Sequence, residues 1–160
     1  YIIIKDKYKM IVCLALIGKK NNPLYIDSFI DNNEDDGLKF QFHVHTSLDI
    51  IEEKIKLYNT PIINTNNKKK NKDDDLYLGH LFTSENYKIY AYITNTKLKI
   101  ITIIKNVKND QYIKHFLKDI HTQYIHYLSN PFNQIDTQIK SNTFQTQIQQ
   151  LVKTNNQKLT

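Results

Sequence analysis

Eight consecutive apolar residues, Met10-Ile-Val-Cys-Leu-Ala-Leu-Ile17, constrain this chain more than any other feature. The run has no polar alternation, so as a strand it carries apolar side chains on both faces and must be covered on both. It is far shorter than the roughly 20 residues that a membrane-spanning helix needs. Gly18 and the polar Lys19-Lys20-Asn21-Asn22 close it. Pro23 to Ile30 then alternates, with Leu24, Ile26 and Ile30 on one side and Tyr25, Asp27 and Phe29 on the other. Two such runs joined by a short Gly/Asn connection predict a hairpin.

Asp31 to Gly37 is acidic and turn-rich, and offers N-cap oxygens to a helix predicted from about Leu38 to Tyr58. Val44, Leu48, Ile51, Ile55 and Tyr58 recur at three- and four-residue steps and form one stripe of that helix. Phe40, Phe42, Ile50 and Leu57 fall outside the stripe. One helix cannot bury two apolar stripes against a single sheet, so the second is a candidate contact for another protein. Asp49, Glu52 and Glu53 share the outer side with Lys54 and Lys56, as a solvated face or as part of the same contact. Thr60-Pro61 ends the helix. Residues 64–75, rich in Lys, Asn and Asp, predict a mobile low-complexity loop.

Three strands follow, at Leu76–Phe82, Tyr87–Thr94 and Lys97–Lys105, with connections short enough to force antiparallel neighbours. A helix is predicted over Asp110 to Ser129, with Ile113, Phe116, Leu117, Ile120, Tyr124 and Leu128 on one face, ended by Asn130-Pro131. A last helix is expected from about Ser141, its cap, to Lys153, with Phe144, Ile148, Leu151 and Val152 inward. The order ββαβββαα describes an α+β domain over residues 10–155, built on an antiparallel sheet. Residues 1–9 are expected to be an extension outside the fold, and 156–160 a frayed tail.

Charge and motifs narrow the function by elimination. The net charge of +6 comes with 22 lysines and no arginine, so the bidentate fork that reads guanine and clamps phosphate is missing. Lys68, Lys69, Lys70 and Lys72 are answered at once by Asp73, Asp74 and Asp75. Nucleic-acid binding is therefore not expected. The three glycines are too far apart for a phosphate loop. Cys13, amid apolar neighbours, predicts a buried inert thiol. His43 and His45 point to different sides of their helix, and His115, His121 and His126 diverge around theirs, so no zinc site is expected. No catalytic residue, metal or cofactor is expected. Asn130-Pro131-Phe132 matches a short peptide motif used by endocytic adaptors, but its place at a helix end predicts that Phe132 caps and packs there.

Several blocks resemble one family. Met10 to Ile26 resembles the opening of the sedlin-like subunits of the TRAPP vesicle-tethering complex, and His43-Val-His-Thr-Ser-Leu-Asp-Ile-Ile-Glu-Glu-Lys54 their first-helix motif. Leu76 to Phe82, Tyr87 to Asn95, Lys97 to Lys99, Ser129-Asn-Pro-Phe132 and Ser141-Asn-Thr-Phe144 continue the likeness in order. The match looks closer to the 2-like branch than to sedlin itself. The resemblance implies a longin (SNARE-like) fold, a five-stranded antiparallel sheet with one helix on one face and two on the other.

It also implies a non-catalytic subunit that supports assembly of the complex and its nucleotide exchange on Rab-type GTPases in ER-to-Golgi or intra-Golgi transport. The implied location is cytoplasmic, peripheral at ER and Golgi membranes. Implied partners are other TRAPP subunits, a neighbouring core subunit or the large TRAPP II subunits, and indirectly a Rab-type GTPase. The first-helix contact of related subunits maps onto His45, Leu48, Asp49, Glu52 and Glu53. The competing reading is a longin domain of another trafficking assembly, an adaptor small subunit or a SNARE regulatory domain. A SNARE is expected to continue into a heptad helix, and none is read after Lys153.

Overall fold

The computed structural model describes residues 10–30, 34–59, 77–105 and 110–159. The expected extension at 1–9 and the loop at 64–75 lie outside them. The elements are β1 (Ile11–Ile17), β2 (Pro23–Ser28), α1 (Glu34–Asn59), β3 (Tyr77–Ser84), β4 (Tyr87–Ile93), β5 (Lys99–Lys105), α2 (Asp110–Leu128) and α3 (Asn142–Leu159). The strands form a five-stranded sheet in the order β2-β1-β5-β4-β3, antiparallel at every pairing. The apolar run is thus a central strand, with all seven residues of β1 buried.

Alternate side chains of the central strands feed two cores. Leu14, Leu16, Tyr90, Tyr92 and Ile100 pack with Phe116, Leu117 and Ile120 of α2 and Phe144 and Ile148 of α3. Val12, Ala15, Ile17, Ile89, Ile101 and Ile103 pack on the other face with Phe40, Val44, Leu48 and Ile51 of α1. Each fully buried Val, Leu or Ile contributes roughly 1.5–3 kcal/mol, so both helical layers are needed to hold β1 and β5. One helix covers one face and two cover the other, as the resemblance implied.

Three expectations are corrected. In β2 the alternation fails at Leu24, because a register shift pairs Leu16 with Tyr25 but Ile17 with Pro23. The bulge leaves Leu24 between those pairs and sends it, together with Tyr25, into the core under α2 and α3. Ile26 and Ile30 do not share that side: Ile26 pairs with Ala15 and is partly exposed, and Ile30 packs on the α1 side.

The second correction is the start of α1. Glu34 to Gly37 form its first turn rather than a loop before it, and a Cβ at Gly37 would meet nothing within 4 Å. One glycine in a helix costs about 1 kcal/mol. The packing of Phe40, Val44 and Ile51 against the sheet contributes more.

The third is α3, which runs to Leu159 instead of ending at about Lys153. Its polar end is tied to the sheet: Asn156 Oδ1 accepts hydrogen bonds from the backbone N–H groups of Met10 (3.2 Å) and Ile11 (2.9 Å). Asn155 is buried and donates to the Leu151 carbonyl at 2.9 Å. Asn156→Ala is expected to cost about 1–2 kcal/mol by orphaning those donors, and to lower the thermal midpoint by roughly 2–8 °C. Lys153→Ala, an exposed change on the same helix, should leave the midpoint in place.

Candidate functional site

The outer side of α1 is where the structure and the sequence-based site meet. Every residue of a helix advances about 100°, so Phe42, Asp49 and Glu53 fall within about 40° of one another, opposite Val44 and Ile51. All three are exposed, as are Leu38 before them and Leu57 after them. Leu38 is 68% exposed and Phe42 67%, one turn apart, so two large apolar side chains open the ridge. The predicted second stripe is thus present in Phe42 and Leu57, with Ile50 half-buried beside them. Phe40 is corrected: it is buried in the α1 core, edge-on to Tyr87 at 5.6 Å. Leu38 was missed because it stood at the expected helix start, although its four-residue spacing from Phe42 carries the signal.

Of the five site residues expected from the resemblance, four share this outer surface and one does not. His45, Asp49, Glu52 and Glu53 are exposed. Leu48 is only 7% exposed and packs into the core beneath them, so here it supports the face from below instead of forming part of it. His45 and Glu52 occupy the flank nearest the β1–β2 turn, where Glu52 Oε1 accepts from Asn21 Nδ2 at 2.9 Å. The same Asn21 accepts at 2.7 Å from Lys99 Nζ, a lysine buried in β5. Burial pulls the Lys99 ammonium below the ordinary lysine range, against the opposing pull of Glu52 and Asp136.

The opposite flank is bolted to the sheet edge. Lys54 Nζ donates to the carbonyls of His80 (2.9 Å) and Leu78 (3.4 Å) in β3. The His43 ring stands 6.2 Å from Phe82. Polar bonds on both flanks thus fix the helix roll, and with it the direction in which Phe42, Asp49 and Glu53 face. The result is a ridge with large apolar side chains towards both ends, Asp49 and Glu53 in the middle, and the exposed Lys39 and Lys56 beside the apolar ends. Such a surface is suited to binding another protein.

The other candidate groups resolve quickly. Cys13 is buried, and desolvation, reinforced by Asp27, pushes its thiol up to about 12. Ellman's reagent at pH 8 is expected to leave it unmodified in the native protein and to titrate one thiol after unfolding; prompt native reaction would contradict the burial. Among the described residues no three His, Cys, Asp or Glu side chains converge as metal ligands, and no helix is long and apolar enough to cross a membrane. The expectation for Phe132 is wrong: it neither caps nor packs, and stands 92% exposed in the α2–α3 loop. Ser141 does cap α3, its Oγ accepting from the Phe144 N–H at 3.3 Å.

Comparison with known proteins matches residues 16–154 to the Sedlin family. The chain is 40% identical over 147 residues to the trafficking protein particle complex subunit 2-like protein of Dictyostelium discoideum, an alignment covering 90% of this chain and 97% of the relative. It is 36% identical to the protein of the same name from Rattus norvegicus, with 87% and 94% covered. Trafficking protein particle complex subunit 20 of Saccharomyces cerevisiae is 28% identical at the same coverages. The five-stranded sheet and three helices agree with the longin-like fold of that family.

Proposed function

The chain belongs to the sedlin family, and from that premise we propose that it is a non-catalytic subunit of a trafficking protein particle (TRAPP) complex, seated there through the outer ridge of α1. The observation that carries this reading is the exposed row of Leu38, Phe42, Asp49, Glu53 and Leu57 on a helix whose other side is fully used by the sheet. Apolar ends around a charged centre give a neighbouring subunit both contact area and a register. Within that face Asp49 and Glu53 are contact residues, and His45 and Glu52 line its flank. Leu48 keeps the helix at the right height.

In this role the chain lends the complex a shape. Nucleotide exchange on a Rab-type GTPase belongs to the assembly, in ER-to-Golgi or intra-Golgi transport, with the chain held peripherally at those membranes by its neighbours. The test is affinity purification of the full tagged chain with identification of what accompanies it. Other TRAPP subunits in fixed ratio are the expected result. A folded, abundant chain that brings down none of them would overturn the proposal. The purified chain alone is expected to leave the GDP-release rate of a Rab-type GTPase unchanged; acceleration by the chain alone would contradict a non-catalytic role.

A further inference from the structure

We propose that the α2–α3 loop is a second docking element, which presents Phe132 on an Asn-Pro turn to a partner domain with an apolar pocket of the kind endocytic adaptors use for Asn-Pro-Phe peptides. Its end packs through Ile139 into the core under α2 and α3, on the face of the sheet opposite the α1 core, and the proposal does not depend on the TRAPP reading. Exposure alone would not support it, since single exposed apolar residues are common. The argument comes from the tripeptide, its conformation and its anchoring together.

Asn130 Oδ1 accepts from the Phe132 N–H at 3.1 Å, and the Asn133 N–H bonds back to the Asn130 carbonyl at 3.0 Å. Asn leads the turn and Pro131 follows, the residue preferences of a four-residue turn whose side chain bonds its own backbone. The rest of the loop is tied down. Asn133 Nδ2 donates to the Tyr127 carbonyl at 2.7 Å, and Ile139 is buried with its N–H on the Leu24 carbonyl at 2.9 Å. Asp136 accepts from the Lys19 N–H at 3.0 Å, and its carbonyl accepts from Asn22 Nδ2 at 3.0 Å. A Cβ at Gly18 would collide with the Asp136 carboxylate, so that strand end is shaped around the loop.

An anchored loop that still leaves Phe132 at 92% and Ile135 at 75% exposure has used its polar groups for its own structure and its apolar tip for nothing internal. Such a turn loses little freedom on binding, the condition under which one aromatic anchor carries affinity. Residues 129–135 bear no charge, which suits an apolar pocket and gives an anionic membrane or nucleic acid nothing to attract.

The probe is a purified EH domain, the endocytic module that binds Asn-Pro-Phe peptides, titrated with the full chain by calorimetry. The wild type is expected to bind, and a free Asn-Pro-Phe peptide to compete. Phe132→Ala should weaken binding by about tenfold or more, and Asn130→Ala should weaken it too by releasing the turn. Thermal midpoints are expected to stay in place, because both side chains are exposed. Absence of wild-type binding, or binding that survives Phe132→Ala, overturns the proposal. Self-association that Phe132→Ala abolishes, without domain binding, also overturns it and assigns the tip to a second copy of the chain.

Discussion

Leu48→Asp is expected to lower the unfolding free energy by about 4 kcal/mol or more, because it removes a buried side chain and puts a carboxylate in its place. At roughly 2–4 °C per kcal/mol for a chain this long, the thermal midpoint falls by about 8–16 °C or the protein fails to fold. Leu48 packs among Val44, Ile51 and the β1 and β5 side chains of the α1 core, where an aspartate finds no partner. Thermal denaturation followed by circular dichroism measures it. A midpoint within a degree or two of wild type would mean that Leu48 faces outward after all. Any loss of partner binding in this variant therefore reports folding and cannot be credited to the interface.

Asp49→Tyr is the complementary case. One residue along the helix, this side chain is exposed at the centre of the ridge, between Phe42 and Glu53. A surface change of this kind moves stability by no more than about 0.5 kcal/mol. In the proposed assembly it replaces a small acid with a bulky ring at the contact, and is expected to abolish co-purification with the neighbouring subunit. Unimpaired co-purification would withdraw Asp49 from the interface. The adjacent pair separates the structural role of α1, holding the sheet, from the proposed one of meeting a partner.

The sequence carried the architecture because its strands and helices differ in period. The unbroken run of β1 required cover on both faces, and Ile89, Ala91 and Ile93 alternate with Tyr90 and Tyr92 as their two cores demand. What escaped was set by hydrogen bonds that hydropathy does not encode. The polar tail of α3 looks solvated until Asn156 is seen bonding the start of β1. The alternation of β2 gives no warning of the bulge that turns Leu24 inward.

The site was legible in part for the same reason. A count of apolar residues on α1 exposed an excess, but could not say which of Phe40 and Phe42 the sheet would take. Two-residue spacing places them on different sides, and only packing against Tyr87 decides for Phe40. At Phe132 the proximity of a helix end suggested packing. The Asn130 side chain, by bonding the Phe132 N–H, fixes a turn that holds the ring outward instead.

The role of the α1 ridge is most directly tested by the reactivity of a cysteine placed on it. In Glu53→Cys the new thiol is exposed, whereas Cys13 is buried and contributes little background. Gln149→Cys, exposed on α3, serves as the reference. Labelling rates are compared in the isolated chain and after assembly with the proposed TRAPP neighbours. The account predicts that assembly cuts the rate at position 53 to a small fraction while position 149 keeps reacting as before. Equal rates at position 53 in the free and assembled chain would show that the ridge stays open to solvent, and that the complex holds this subunit by some other surface.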